Sequence, residues 1–172
     1  MTEDSRAITP ARTYGLIAHA PDARDYLCDA ESLDHRASDT FMALSLVVIN
    51  LRRSEAVFAW GGIDPPLVLR ANGTAEVVRG GGLPLGASAK EVYAETTVSF
   101  RKGDTLVLTT DGVSEARQGK EFFGQEAVMD AVAAARGEAS VRAIGEAVLG
   151  AARAFAGGKL QDDACLVLAR RN

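Results

Sequence analysis

From residue 41 onward the chain makes short apolar segments, most of them joined by connections too brief for anything but hairpins, and this spacing is the tightest constraint on its fold. Residues 41–49 form a nearly continuous apolar run rich in β-branched side chains, which reads as a buried strand. A turn over 50–54 leads to a second strand at 55–60, so the two make a hairpin. The loop Gly61-Gly62-Ile63-Asp64-Pro65-Pro66 excludes regular structure. A third strand at 67–70 and a fourth at 74–78 flank Asn72-Gly73, a strong hairpin signal. Strands at 93–100, 105–109 and 165–169 complete the set. Parallel neighbours need long crossovers, so these connections predict antiparallel pairing.

The period changes after Asp111-Gly112. Phe123, Ala127, Val128, Ala131, Val132 and Ala135 recur at helical spacing. Ser140 is placed to cap a second helix carrying Val141, Ile144, Val148, Ala151, Ala152 and Phe155 on one face, and Gly157-Gly158 ends it. Hairpins followed by amphipathic helices indicate an α+β layered fold. Before residue 41 the chain is polar; residues 13–19 are read as the beginning of a helix interrupted at Pro21, and Asp22 as the cap of another running to about Ser32.

Bulk properties narrow the function. With 172 residues a single domain spanning 1–172 is expected. A net charge of −4 with no basic stripe argues against nucleic acid. No apolar run reaches the length of a membrane span, and the N-terminus lacks a signal-peptide pattern, so a cytoplasmic protein is expected. Cys28 and Cys165 stand in unrelated contexts and are read as free thiols, and with His19 and His35 they do not assemble a zinc site. Any metal site must be built from carboxylates, which select Mg²⁺ or Mn²⁺.

Two acidic clusters fit that requirement. Asp111 directly follows an apolar strand and is followed by Gly112, which leaves space beside the carboxylate. Asp162 and Asp163 stand just before the last apolar strand. If the two strands are neighbours, the clusters converge on one sheet edge, where mutual repulsion of carboxylates is most simply relieved by a divalent cation. On spacing alone, an Asp-Gly turn and a solvated Asp-Asp loop account for the same residues.

The ordered set is more specific than its parts. Leu83-Pro-Leu-Gly86, then Gly103-Asp104-Thr-Leu-Val-Leu-Thr-Thr-Asp111-Gly-Val-Ser-Glu115-Ala, then Phe123-Gly124, then Gln161-Asp162-Asp163 resembles the SpoIIE/RsbU branch of the PPM metal-dependent serine/threonine protein phosphatases. The resemblance implies an αββα sandwich of antiparallel sheets flanked by helices. It implies a binuclear Mn²⁺ or Mg²⁺ centre with Asp111 and Asp162 as ligands, supported by Gly112 and Asp163. Two such metals lower the pKa of a shared water, whose hydroxide attacks phosphorus in line. The implied substrate is a phosphorylated regulatory protein such as an anti-sigma-factor antagonist, and a second copy or a sensor domain is a further implied partner.

The chain also departs from the branch. The first metal-binding Asp and an Asp-x-x-Gly-x-Gly element have no counterpart before residue 41, where Asp22, Asp25, Asp29, Asp34 and Asp39 lack the glycines and the preceding strand. Ile63 occupies the usual His position of an Asn-Ala-Gly-His-Pro-Pro loop, and Cys165 that of a Thr. Against the branch, residues 1–40 therefore read as a divergent or truncated N-terminal part and 41–172 as the family-like core, and the alternative is a non-catalytic or truncated phosphatase-like module that acts by binding a protein. His19 and His35 read as surface residues, Trp60 as an anchor, Asp104 as a turn residue, and Glu115 either as an orienting group for the Asp111 loop or as solvent-exposed.

Overall fold

The computed structural model describes residues 13–17, 42–88 and 90–172. Among the described residues ten strands fall in the order β1 Thr13–Ile17, β2 Leu44–Asn50, β3 Glu55–Gly61, β4 Leu67–Leu69, β5 Ala75–Val77, β6 Thr96–Ser99, β7 Thr105–Thr109, β8 Arg117–Gln118, β9 Glu121–Phe122 and β10 Leu166–Arg170. Helices α1 Asp111–Ser114, α2 Gly124–Ala134 and α3 Val141–Phe155 follow β7, with a 3₁₀ turn at Ala135–Gly137 between the last two. One four-stranded sheet has the order β1-β2-β3-β6, a second the order β10-β7-β4-β5, and β8-β9 is a small separate hairpin.

The second sheet is the middle layer, and its sequence shows why. Along β4, Val68 faces the first sheet while Leu67 and Leu69 face the helices. Along β7, Leu106 and Leu108 face the first sheet and Val107 the helices. Strands covered on both faces have no use for alternation, so both read as continuous apolar runs. Between the sheets lie Val47, Phe58, Trp60, Phe100 and their neighbours; on the helix side lie Val128, Val132, Ile144, Val148 and Ala152. Each large side chain buried there contributes about 1.5–3 kcal/mol relative to exposure. Trp60 is a core residue, as expected of an anchor.

Local chemistry sets the element ends. The Ser140 hydroxyl accepts from the Ala143 amide at 3.1 Å and starts α3. Gly157 and Gly158 adopt φ of 71° and 102°, and the Gly158 amide reaches the Arg153 carbonyl at 2.7 Å, closing the helix. Asp104 is more than a turn residue. It is buried, and its carboxylate accepts from the Arg70 guanidinium at 3.1 Å and from the Ala71 and Arg101 amides at 3.0 and 2.9 Å. It thereby joins the β4–β5 turn to the turn before β7.

Three expectations are corrected. Residues Thr13–Ile17 are a strand, not a helix. That strand pairs parallel with β2, Thr13 against Leu44 and Ile17 against Val48, so pairing is not antiparallel throughout. The stretch between Ile17 and Leu44 far exceeds the dozen or so residues a parallel crossover needs, which the short connections elsewhere do not. The strand expected at 93–100 is confined to Thr96–Ser99, because Tyr93 leaves the ladder and its hydroxyl donates to the Leu83 carbonyl at 3.1 Å. The helix expected from Asp22 to Ser32 lies outside the described residues.

Candidate functional site

Strands β7 and β10 are antiparallel neighbours, with Thr109 opposite Leu166. This brings the end of one beside the start of the other, and so places the Asp111 turn against the Asp162-Asp163 segment. Thr110 joins them. Its hydroxyl donates to the Asp163 carbonyl at 3.1 Å and accepts from the Cys165 amide at 3.0 Å, while its own amide donates to the Cys165 carbonyl at 3.1 Å. Gly112 is buried with the Asp163 carbonyl directly against it, leaving no room for a β-carbon. The glycine expected on grounds of access is required by the packing of the two acidic segments on each other.

Asp111 opens helix α1 and is half-buried; Asp162 and Asp163 are exposed. Asp162 turns one carboxylate oxygen back to accept from the Asp163 amide at 2.8 Å. Gln161 anchors the same segment from the other side. Its side-chain oxygen accepts from the Arg117 amide at 3.1 Å and its amide group donates to the Arg117 carbonyl at 3.4 Å, like an extra rung on the β8–β9 hairpin. Glu115 is exposed, which answers to the solvent-facing alternative.

One carboxylate beside this edge escaped the sequence reading. Asp64 accepts a 2.6 Å hydrogen bond from the Ser114 hydroxyl, and that hydroxyl also lies 3.3 Å from the Asp111 carbonyl oxygen. The Gln125 amide adds a 3.2 Å bond to the Pro65 carbonyl. The Gly61–Pro66 loop is thus fixed to both α1 and the start of α2. Ile63 packs against the inter-sheet core, so the residue at the usual His position serves packing here. The available signal for Asp64 was a lone acid in a Pro-rich loop, which points nowhere until the loop is folded onto Ser114.

No group of three or more His, Cys, Asp or Glu side chains among the described residues could hold a metal ion. A hard divalent cation takes about six oxygen ligands, mostly from carboxylates when the protein supplies the cage. Asp111 and Asp162 therefore do not complete a binuclear centre from the described residues alone.

Residues 15–172 match the family described as Stage II sporulation protein E (SpoIIE). The chain belongs to the SpoIIE family. This match starts before residue 41. It takes in most of the strand Thr13–Ile17, which pairs in the first sheet and carries no acidic residue. The fold resembles the SiaA-PP2C domain of Pseudomonas aeruginosa, with a TM-score of 0.72 and 20% identity over 88% of this chain and 61% of that one. It also resembles the PP2C phosphatase domain, with a fragment of the regulatory domain, of SpoIIE from Bacillus subtilis, with a TM-score of 0.73 and 20% identity over 87% of this chain and 44% of that one. Protein IcfG of Synechocystis is 25% identical over 107 residues, covering 62% of this chain and 17% of IcfG. The SpoIIE-family chain thus has the α+β sandwich of PP2C phosphatase domains and spans less than two thirds of each of these relatives. No helix among its described residues is long and apolar enough to cross a membrane.

Proposed function

We propose that this chain is a SpoIIE/RsbU-type protein phosphatase domain that acts on phosphoserine or phosphothreonine of a regulatory protein, such as an anti-sigma-factor antagonist. The observation that carries this reading is the junction of Thr110-Asp111-Gly112 with Asp162-Asp163, locked through the Thr110 hydroxyl and the close approach at Gly112. A solvated loop has no need of that precision in two acidic segments far apart in sequence. Asp111 and Asp162 are assigned to a divalent cation, Mn²⁺ or Mg²⁺, with Asp163 and Gly112 holding their segments in place. Such a cation supplies charge neutralisation and an activated water when bound.

A second reading is favoured by the small number of acidic donors among the described residues: a module that keeps the fold and binds a phosphoprotein without turnover. One experiment separates the two. The purified chain is given a phosphoserine protein with and without Mn²⁺, and released phosphate is measured. Turnover that needs Mn²⁺ and disappears in both Asp111→Ala and Asp162→Ala supports the enzyme. Saturable binding of the phosphoprotein without phosphate release supports the module.

A further inference from the structure

The end of the sandwich away from Asp111 and Asp162 has the opposite charge. The β2–β3 turn presents Arg52 and Arg53, and the turn before β7 presents Arg101 and Lys102, all four exposed. No ion pair engages any of them among the described residues. The two turns are joined. The Phe100 amide donates to the Ser54 carbonyl at 2.7 Å, and the Arg171 guanidinium donates to the Phe100 carbonyl at 2.6 Å and the Leu51 carbonyl at 2.9 Å. Behind them the Arg101 amide is held by buried Asp104. The cations therefore project from a fixed platform, and Leu51 stands among them with 62% of its surface exposed.

We propose that this platform is a docking surface for an acidic protein segment, one that sets Asp or Glu side chains against the four cations and an apolar side chain against Leu51. An apolar centre within a polar rim is the anatomy of protein interfaces, and arginine, three of the four cations here, is enriched in them. The chain's net charge of −4 makes a local excess of positive charge a directional feature, able to orient an acidic partner before contact. Single-stranded nucleic acid fits less well, because no aromatic side chain accompanies the cations for bases to stack on. A membrane surface fits less well because Leu51 is the single large apolar side chain exposed on these two turns, short of the apolar face an interfacial anchor presents.

The surface is distinct from the Asp111 edge, so the test does not depend on catalysis. A fluorescent peptide of alternating Glu and Asp with a central Leu is titrated with the full chain by anisotropy, in low salt and at physiological salt. Oligouridylate and phosphatidylserine vesicles serve as parallel probes. Saturable peptide binding, weakened about tenfold or more by the change in salt and by Arg52→Glu/Arg53→Glu/Arg101→Glu/Lys102→Glu, but unchanged in Asp111→Asn, is the expected result. The pair Arg53→Glu/Lys102→Glu serves if the fourfold variant fails to fold by circular dichroism, and Leu51→Ser tests the apolar centre. Absence of peptide binding in low salt, indifference to the charge reversals, or tighter binding of oligouridylate or vesicles overturns the proposal.

Discussion

Gly112 and Asp163 are packed so that the backbone carbonyl of one occupies the space a β-carbon on the other would need. Gly112 lies within helix α1 and is not in the left-handed region, so alanine's own backbone preference is satisfied there and only space is lacking. Gly112→Ala should push the Asp162-Asp163 segment off the Asp111 turn and cost about 1–3 kcal/mol, the usual range for overpacking. Urea denaturation gives the cost; a change under about 0.5 kcal/mol would show that the segment yields freely.

Cation binding should be weak. Two carboxylates leave most of the coordination of a hard cation to water, and calorimetry should give a dissociation constant for Mn²⁺ above roughly 1 μM. Asp111→Asn should remove what binding there is. Submicromolar binding would mean that further donors reach the site from outside the described residues. By the same reasoning, phosphate release should be slow and should rise with Mn²⁺ through that same concentration range.

Ser114→Ala should loosen the Gly61–Pro66 loop. The hydroxyl is the donor to Asp64 at 2.6 Å in a part-buried setting, and its loss should cost about 1–2 kcal/mol. Ser114→Thr retains the hydroxyl, and its stability should lie nearer the parent in the same urea titration.

Asp104→Ala should be among the most damaging single changes far from the acidic edge. It removes the acceptor of two backbone amides and of Arg70, whose side chain is itself mostly buried, at a cost of about 2–4 kcal/mol. A loss below about 1 kcal/mol would mean that water replaces the carboxylate without difficulty.

The Arg70 network also predicts a pH dependence. The hydrogen bond from Arg70 holds the Glu76 carboxyl below its ordinary value of 4.5. A carboxyl depressed in the folded state stabilises it above its unfolded pKa, and that contribution is lost as pH falls through the lower folded value. Stability should therefore fall below pH 4.5, and Glu76→Gln should be less sensitive over that interval. Glu76 is half-exposed, so the difference should be small and should shrink with added salt. Urea midpoints measured from neutral pH downward, in both proteins, test the sign.

The sequence carried most of the second sheet and the helices, because their signals are local. β7 runs from Thr105 to Thr109 as expected, Ser140 caps α3, and Asn72-Gly73 turns β4 into β5. Hydrophobic runs and caps act over a few residues and leave a direct trace. Thr13–Ile17 left none, since five residues of mixed character become a strand only by pairing with β2. The meeting of the Asp111 turn with the Asp162-Asp163 segment was legible because each acid directly follows or precedes an apolar strand. Asp64 was not, since its bond to Ser114 spans 50 positions and neither residue is unusual where it stands. The platform formed by Arg52, Arg53, Arg101 and Lys102 was hidden in the same way: the charges are ordinary in the chain and are assembled by Arg171, whose bond to Leu51 spans 120 positions.

The position of β10 at the edge of its sheet ties the lifetime of the acidic edge to a fraying equilibrium. β7 is its only strand partner among the described residues, and every one of its residues is only partly buried. Regions of that kind open with a free energy well below that of global unfolding. Each such opening would carry Asp162 and Asp163 away from Asp111 while β7 and the inter-sheet core stay closed. Amide exchange at Val167 and Ala169, the β10 residues in hydrogen-bonded register with β7, would then report how long the acidic edge stays assembled, on a clock separate from the stability of the domain.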